Sequence, residues 1–300
     1  MGAAHLKFDA NYLVPLDWLE EVWDKARRMM QDVCAQLRTL GVSADLDAMM
    51  TRTGIEEVAG YIRDCCQERE FGDRQSLIAE YAKLWSLSRH MIAETPQAAL
   101  DYIHKLRNDD SNAAHRLRNT LSFQAISLQL QAGHRHPKME RLGIVAEEEF
   151  ARRRKTLILC LTHTGADELA QMLQVRVGQV YQLHGGLKER ELKRQWAEFD
   201  SARVGIAVAT ASLERKIGVK VKTLIHYNLI STDTRYLEKV VALPLYSQII
   251  VAADHPLDLG KSFCHYLPRP RVRGTIRPSR KREKGIPTPL LPFSDPSASN

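Results

Sequence analysis

The sequence predicts an α/β chain in which a domain built on a mainly parallel sheet, residues 136–268, follows an all-helical region, 1–135, and precedes a basic, disordered tail, 269–300. Three observations predict this. Between Lys155 and Glu238, short apolar runs alternate with amphipathic helical patterns, the pattern of strands joined by crossover helices. Before Lys155, strand signals are nearly absent and apolar residues recur every three or four positions. Beyond Pro268, periodicity stops and Pro, Gly, Ser and Arg dominate.

The helical region opens on Leu16–Leu40, where Leu19, Val22, Trp23, Ala26, Met30, Val33 and Leu37 form one apolar stripe that Gly41 ends. Further helical patterns span Ala44–Met50, Ile55–Cys66, Ser76–Ile92, Gln97–Leu106 and Ala113–Gln131, with caps or breaks at Ser43, Gly72-Asp73, Thr95-Pro96 and Gly133–Pro137. A helix near Pro137–Arg154 leads into the sheet domain.

The expected strands are Thr156–Leu161, Val180–Leu183, Val204–Ala209 and Lys222–Ile225, and the helices between them include Asp167–Leu173 and Glu189–Phe199. Ligands of open α/β sheets bind at the carboxyl ends of the strands. The residues to watch are therefore Thr162 and His163, His184 and Gly185, and Thr210. His184 has two readings, a ligand contact or a residue that packs or caps the strand–helix turn. Asp167-Glu168 reads as acids stabilising the first turn of a helix. Lys188, Arg190, Lys193 and Arg194 add positive charge to the next helix, whose default is a solvated face.

The 300-residue length allows one or two domains with a substantial core. The five cysteines are scattered and form no CxxC pair, so neither a zinc ribbon nor a disulfide framework is indicated and no metal site is expected. No apolar run reaches membrane-spanning length, which points to an intracellular protein, nuclear or cytoplasmic, with an organellar address left open. Of the net charge of +7, the tail carries +6: eight basic residues, among them Arg273, Arg280, Lys281 and Arg282, against Glu283 and Asp295. Such an arm suits nucleic-acid phosphates or nuclear import, and also suits plain solubility.

Four motifs in order resemble the second RecA-like domain of superfamily 2 helicases. They are LILCLTHT ending in Thr164, the His184-Gly185 pair with Phe199 fifteen residues after the His, the Ala209-Thr210 segment running to Gly218, and the IHYNL strand. The junction HRHPKMERL at His134–Leu142 is similar to the RIG-I-like, Dicer and Hef/FANCM branch, in which a helical insert precedes that domain; DEAD-box helicases compete, since TLILCLTHTGADELAQML suits them equally. The resemblance implies a RecA-like fold. It also implies that Thr162, His184, the Gly185 loop and Thr210 lie along a sugar–phosphate backbone, positioning a strand without reading its sequence.

Departures from the family pattern bear on catalysis. No GxxxxGK[ST] loop or acidic metal-binding box occurs: Gly260-Lys261-Ser262 imitates the loop, but His255 replaces its first Gly. Lys216 stands where the family usually has Gly, and Gly218 where it has Asp or Asn. The paired arginines of QxxGRxxR are missing after Tyr236, leaving Lys239, which cannot make a bidentate guanidinium contact. Lys216, Gly218 and Lys239 are thus degenerate nucleotide-facing positions, no catalytic residue is expected, and autonomous ATP hydrolysis is not expected. ATP and magnesium would enter only if another chain supplied a first RecA-like domain. The expectation is a helicase-like nucleic-acid-binding protein, RNA-directed, with RNA or DNA backbone as partner. The alternatives are a silent protein scaffold in a nucleoprotein assembly and one half of an active helicase.

Overall fold

The computed structural model describes residues 10–40, 71–210, 221–228 and 247–259. All belong to one compact unit, Met1–Leu267; none of the second unit, Pro268–Asn300, is described. The expected helices at Ala44–Met50 and Ile55–Cys66 and the expected disordered tail lie outside the described residues.

Among these residues, six strands form one all-parallel sheet: β1 (Ala10–Val14), β2 (Lys155–Cys160), β3 (Val180–Leu183), β4 (Gly205–Thr210), β5 (Thr223–His226) and β6 (Ser247–Ala253), in the order β1-β6-β5-β2-β4-β3. In β2 the side chains alternate between two apolar layers. Ile158 and Cys160 pack with Leu142, Val145, Leu169 and Leu173, whereas Leu157 and Leu159 pack with Leu183 and Phe199. The first layer is supplied by α6 (Pro137–Ala151) and α7 (His163–Val177), the second by α8 (Glu189–Ser201). Helices on both faces are what an all-parallel sheet requires, because each crossover returns over a face. This is a RecA-like parallel sheet.

The helices before the sheet are α1 (Trp18–Thr39), α2 (Phe71–Ala93), α3 (Pro96–Arg107), α4 (Asn112–Arg118) and α5 (Leu121–Gln131). Their buried stripes, including Val22, Met30, Leu84, Ile92, Ile103 and Phe123, make a core of their own that also takes in Ala253 of β6 and Leu257 of the short α9 (Pro256–Leu259).

Four details differ from the sequence expectations. The region read as all-helical contains β1, paired in parallel with β6 from Ala10↔Ile249 to Val14↔Ala253. Neither strand is readable locally: each is one short apolar run, and their partnership spans most of the chain. The expected Ala113–Gln131 helix is two, because Thr120 caps α5 by accepting a hydrogen bond from the Phe123 N–H at 3.2 Å. Helix α2 begins at Phe71, so Gly72-Asp73 lies in its first turn and does not break it. Asp167 and Glu168 fall in the second turn of α7, beyond the N-terminal N–H groups, and serve tertiary contacts instead.

Candidate nucleic-acid interface

Because every strand runs the same way, their carboxyl ends share one edge. At that edge Thr210 ends β4, Thr162 follows β2 on one side, and His184-Gly185 follow β3 on the other. The structure therefore brings together Thr162, His184, Gly185 and Thr210. Lys216, Gly218, Lys239, Arg273, Arg280, Lys281 and Arg282 lie outside the described residues.

Thr162 caps α7. Its Oγ1 accepts the Gly165 N–H at 3.1 Å and donates to Glu94 Oε2 at 3.1 Å. A Cβ on Gly165 would stand 2.8 Å from that oxygen, so the cap needs glycine there. Both hydrogen-bonding roles of the hydroxyl are thus occupied from within the fold. Thr210 is buried. Gly185 and Gly186 are exposed, and the turn they form closes through the Leu187 N–H on the His184 carbonyl.

His184 is buried, its Nε2 2.9 Å from Asp167 Oδ1. A carboxylate only accepts, so Nε2 carries the proton and, in the neutral ring, Nδ1 keeps a lone pair. That Nδ1 is buried and has no hydrogen-bond partner. Its nearest aromatic neighbour is the exposed His163 ring, with centroids 5.3 Å apart. On α8, Lys193 pairs with Glu189 at 2.6 Å and Arg194 with Glu191 and Glu198 at 2.6 and 3.2 Å. Half of the positive charge expected on this helix is therefore neutralised along it.

The other half of the edge is covered by the α2–α3 junction. Tyr227 donates its hydroxyl to the Glu94 carbonyl at 3.1 Å, and Asn228 joins the Ala93 carbonyl to the Leu161 N–H. Lys138, fully buried, donates to the Ala93 carbonyl and to Asp258, both at 2.7 Å, and lies 4.2 Å above the Tyr227 ring. Asp258 also accepts the Ala253 N–H, and His136 Nε2 bonds the Met91 carbonyl at 3.0 Å. Burial lowers the Lys138 ammonium below its ordinary range, with Asp258 opposing. Burial pushes the Glu94 carboxyl up to about 7, against the pull of Lys138 and the Thr162 hydroxyl. Burial drives His136 down to about 3.

Sequence reasoning quoted His136–Lys138 and Tyr227-Asn228 as parts of motifs but gave them no role. It missed Glu94 altogether, because a lone acid at a helix end carries no local signal of a partner 68 positions away.

No protein-family model and no curated protein matches the sequence. Solved structures do. The helicase domain of Hef from Pyrococcus furiosus superimposes with a TM-score of 0.69 at 19% identity, covering 87% of this chain and 58% of that one. The fold is helicase C-terminal-like. Weaker likenesses of this helicase-like fold are to the C-terminal part of the Fun30 ATPase domain (TM-score 0.43, 12% identity, 82% of this chain and 85% of that one) and to the C-terminal domain of the DEAD-box protein Dbp5 (0.36, 18%, 42% and 74%). This chain spans little more than half of the Hef helicase domain.

After β6 the chain turns through Asp254 and His255 directly into α9, and Asp258 of that turn faces inward onto Lys138. The Asp258 carboxylate is thereby held in the interior by the Lys138 ammonium and the Ala253 N–H. Among the described residues, no helix is long and apolar enough to cross a membrane.

Proposed function

We propose that this chain is a helicase-like nucleic-acid-binding protein, RNA-directed, that does not hydrolyse ATP on its own. The observation that supports the reading best is the open half of the strand-end edge: the exposed Gly185-Gly186 turn beside Thr210, on a fold shared with a helicase domain. Backbone N–H groups of such a turn suit phosphate oxygens and position a strand without reading bases. The Arg269–Lys284 arm adds a sequence-independent, salt-sensitive attraction. Because the nucleotide motifs are degenerate, binding should be indifferent to ATP and magnesium.

Fluorescence anisotropy with labelled single-stranded RNA and DNA of one sequence, over a salt series, tests this. Binding to RNA that tightens as salt falls and ignores ATP is expected; no binding to either polymer at low salt refutes the reading. A protein scaffold is the second reading. The occupied Thr162 hydroxyl and the self-paired charges of α8 favour it, since both withdraw groups that a phosphate backbone would use.

A further inference from the structure

A notch at Gly186 gathers two imidazole nitrogens. A Cβ added to Gly186 would lie 3.0 Å from His184 Nδ1 and 3.2 Å from His163 Nδ1, so both nitrogens lie close to one point beside a side-chain-free backbone. His184 Nδ1 is the buried, partnerless nitrogen whose lone pair is set by the Nε2–H donated to Asp167. An unsatisfied buried polar atom costs about 1–3 kcal/mol and calls for a specific reason. Metal-bound histidines characteristically donate their other ring N–H to a carboxylate, which fixes the tautomer and raises the basicity of the ligating nitrogen. Ring spacing agrees: two imidazoles on one tetrahedral zinc, at about 2.0–2.1 Å per Zn–N bond, have centroids about 5 Å apart. The observed separation is 5.3 Å.

We propose that His163 and His184 hold one divalent transition-metal ion of the zinc type, with Asp167 as the positioning residue behind His184. His163, exposed at the first position of α7, is the movable ligand that closes over the ion; water or an anionic oxygen fills the remaining positions. No group of three or more His, Cys, Asp or Glu side chains gathers for a metal among the described residues, so this is a two-ligand site, open and of moderate affinity. The site stands independently of nucleic-acid binding. Its ligands come from two strand-end motifs, and their separation in sequence hides them from any spacing rule.

The test is titration of untagged full-length protein with Zn2+ alone, followed by calorimetry and by long-range 1H–15N spectra of the histidine rings. One zinc per chain is expected, with the nitrogens of His163 and His184 shifting together. His163→Ala, at an exposed position, should weaken binding at least tenfold while leaving the circular dichroism unchanged. Asp167→Asn should weaken it about 10–100-fold while both rings still respond at saturating zinc. Zinc that moves neither ring, or that binds His163→Ala as tightly as the parent, overturns the proposal. The spectra of the parent protein decide the matter even if a variant fails to fold.

Discussion

Replacing Glu94 by glutamine should remove a pH dependence that this one carboxyl imposes on stability. Glu94 is fully buried, and its folded-state pKa of about 7 lies above the ordinary 4.5. The folded chain therefore holds the proton more tightly than the unfolded chain does. The resulting stabilisation is complete below about pH 4.5 and is lost as the pH rises through 7. Integrated between pH 5.5 and pH 8, that loss is about 2 kcal/mol, or about 4–8 °C in melting temperature for a unit of this size. The glutamine of Glu94→Gln cannot titrate, so the variant's stability relative to the parent should improve by that amount between the two pH values. Its amide nitrogen, facing the site of the unpartnered Oε1, shifts the whole comparison by about 1 kcal/mol at both. The assay is urea unfolding of both proteins at pH 5.5 and pH 8, read as a double difference that cancels the histidines. A double difference near zero would show that Glu94 is not the buried proton store described above.

Below pH 6.5 the histidines should dominate. His90, His226 and His255, each held near 4, and His136, near 3, stay neutral in the fold, so stability present above pH 6.5 should fall steeply from there to pH 4 in both proteins. Lys138→Met leaves Asp258 buried without its cation and should cost about 3–5 kcal/mol, much of it regained in Lys138→Met/Asp258→Leu; an additive double variant would contradict the pairing. Phe199→Ala empties the layer between α8 and the sheet and should cost about 3–5 kcal/mol in the same unfolding assay. Purified protein should hydrolyse no ATP above background with or without RNA; turnover that disappears in Lys239→Ala would reinstate a working nucleotide site.

The interior of the sheet domain was legible because its signals are local. Strands β2 to β5 are apolar runs bounded by polar residues, and α7 and α8 carry helical periodicity between them. Strands β1 and β6 were not legible, since a five- or seven-residue apolar run says nothing about its partner until topology places it in the sheet, β1 at its edge and β6 beside it. The candidate site divides in the same way. Thr162, His184, Gly185 and Thr210 follow from the rule that parallel strands expose their carboxyl ends together. What occupies them does not follow: the hydrogen bond from Thr162 to Glu94 and the one between His184 and Asp167 depend on helices crossing the edge at particular angles.

The pairing of β1 with β6 sets an order of events during synthesis. Residues 10–14 leave the ribosome first, yet the edge they join is made of residues 249–253, and the helical core closes only when Ala253 and Leu257 arrive. The nascent helices must wait until those residues are made with one side of their core unfilled, exposed to whatever chaperone or neighbouring chain meets them. A fragment cut at the apparent boundary near residue 135 would keep the five helices described before it but lose the strand β6 and the apolar pair, Ala253 and Leu257, that seal them. It should behave as a sticky folding intermediate, and restoring residues 247–259 on a second chain should rescue it.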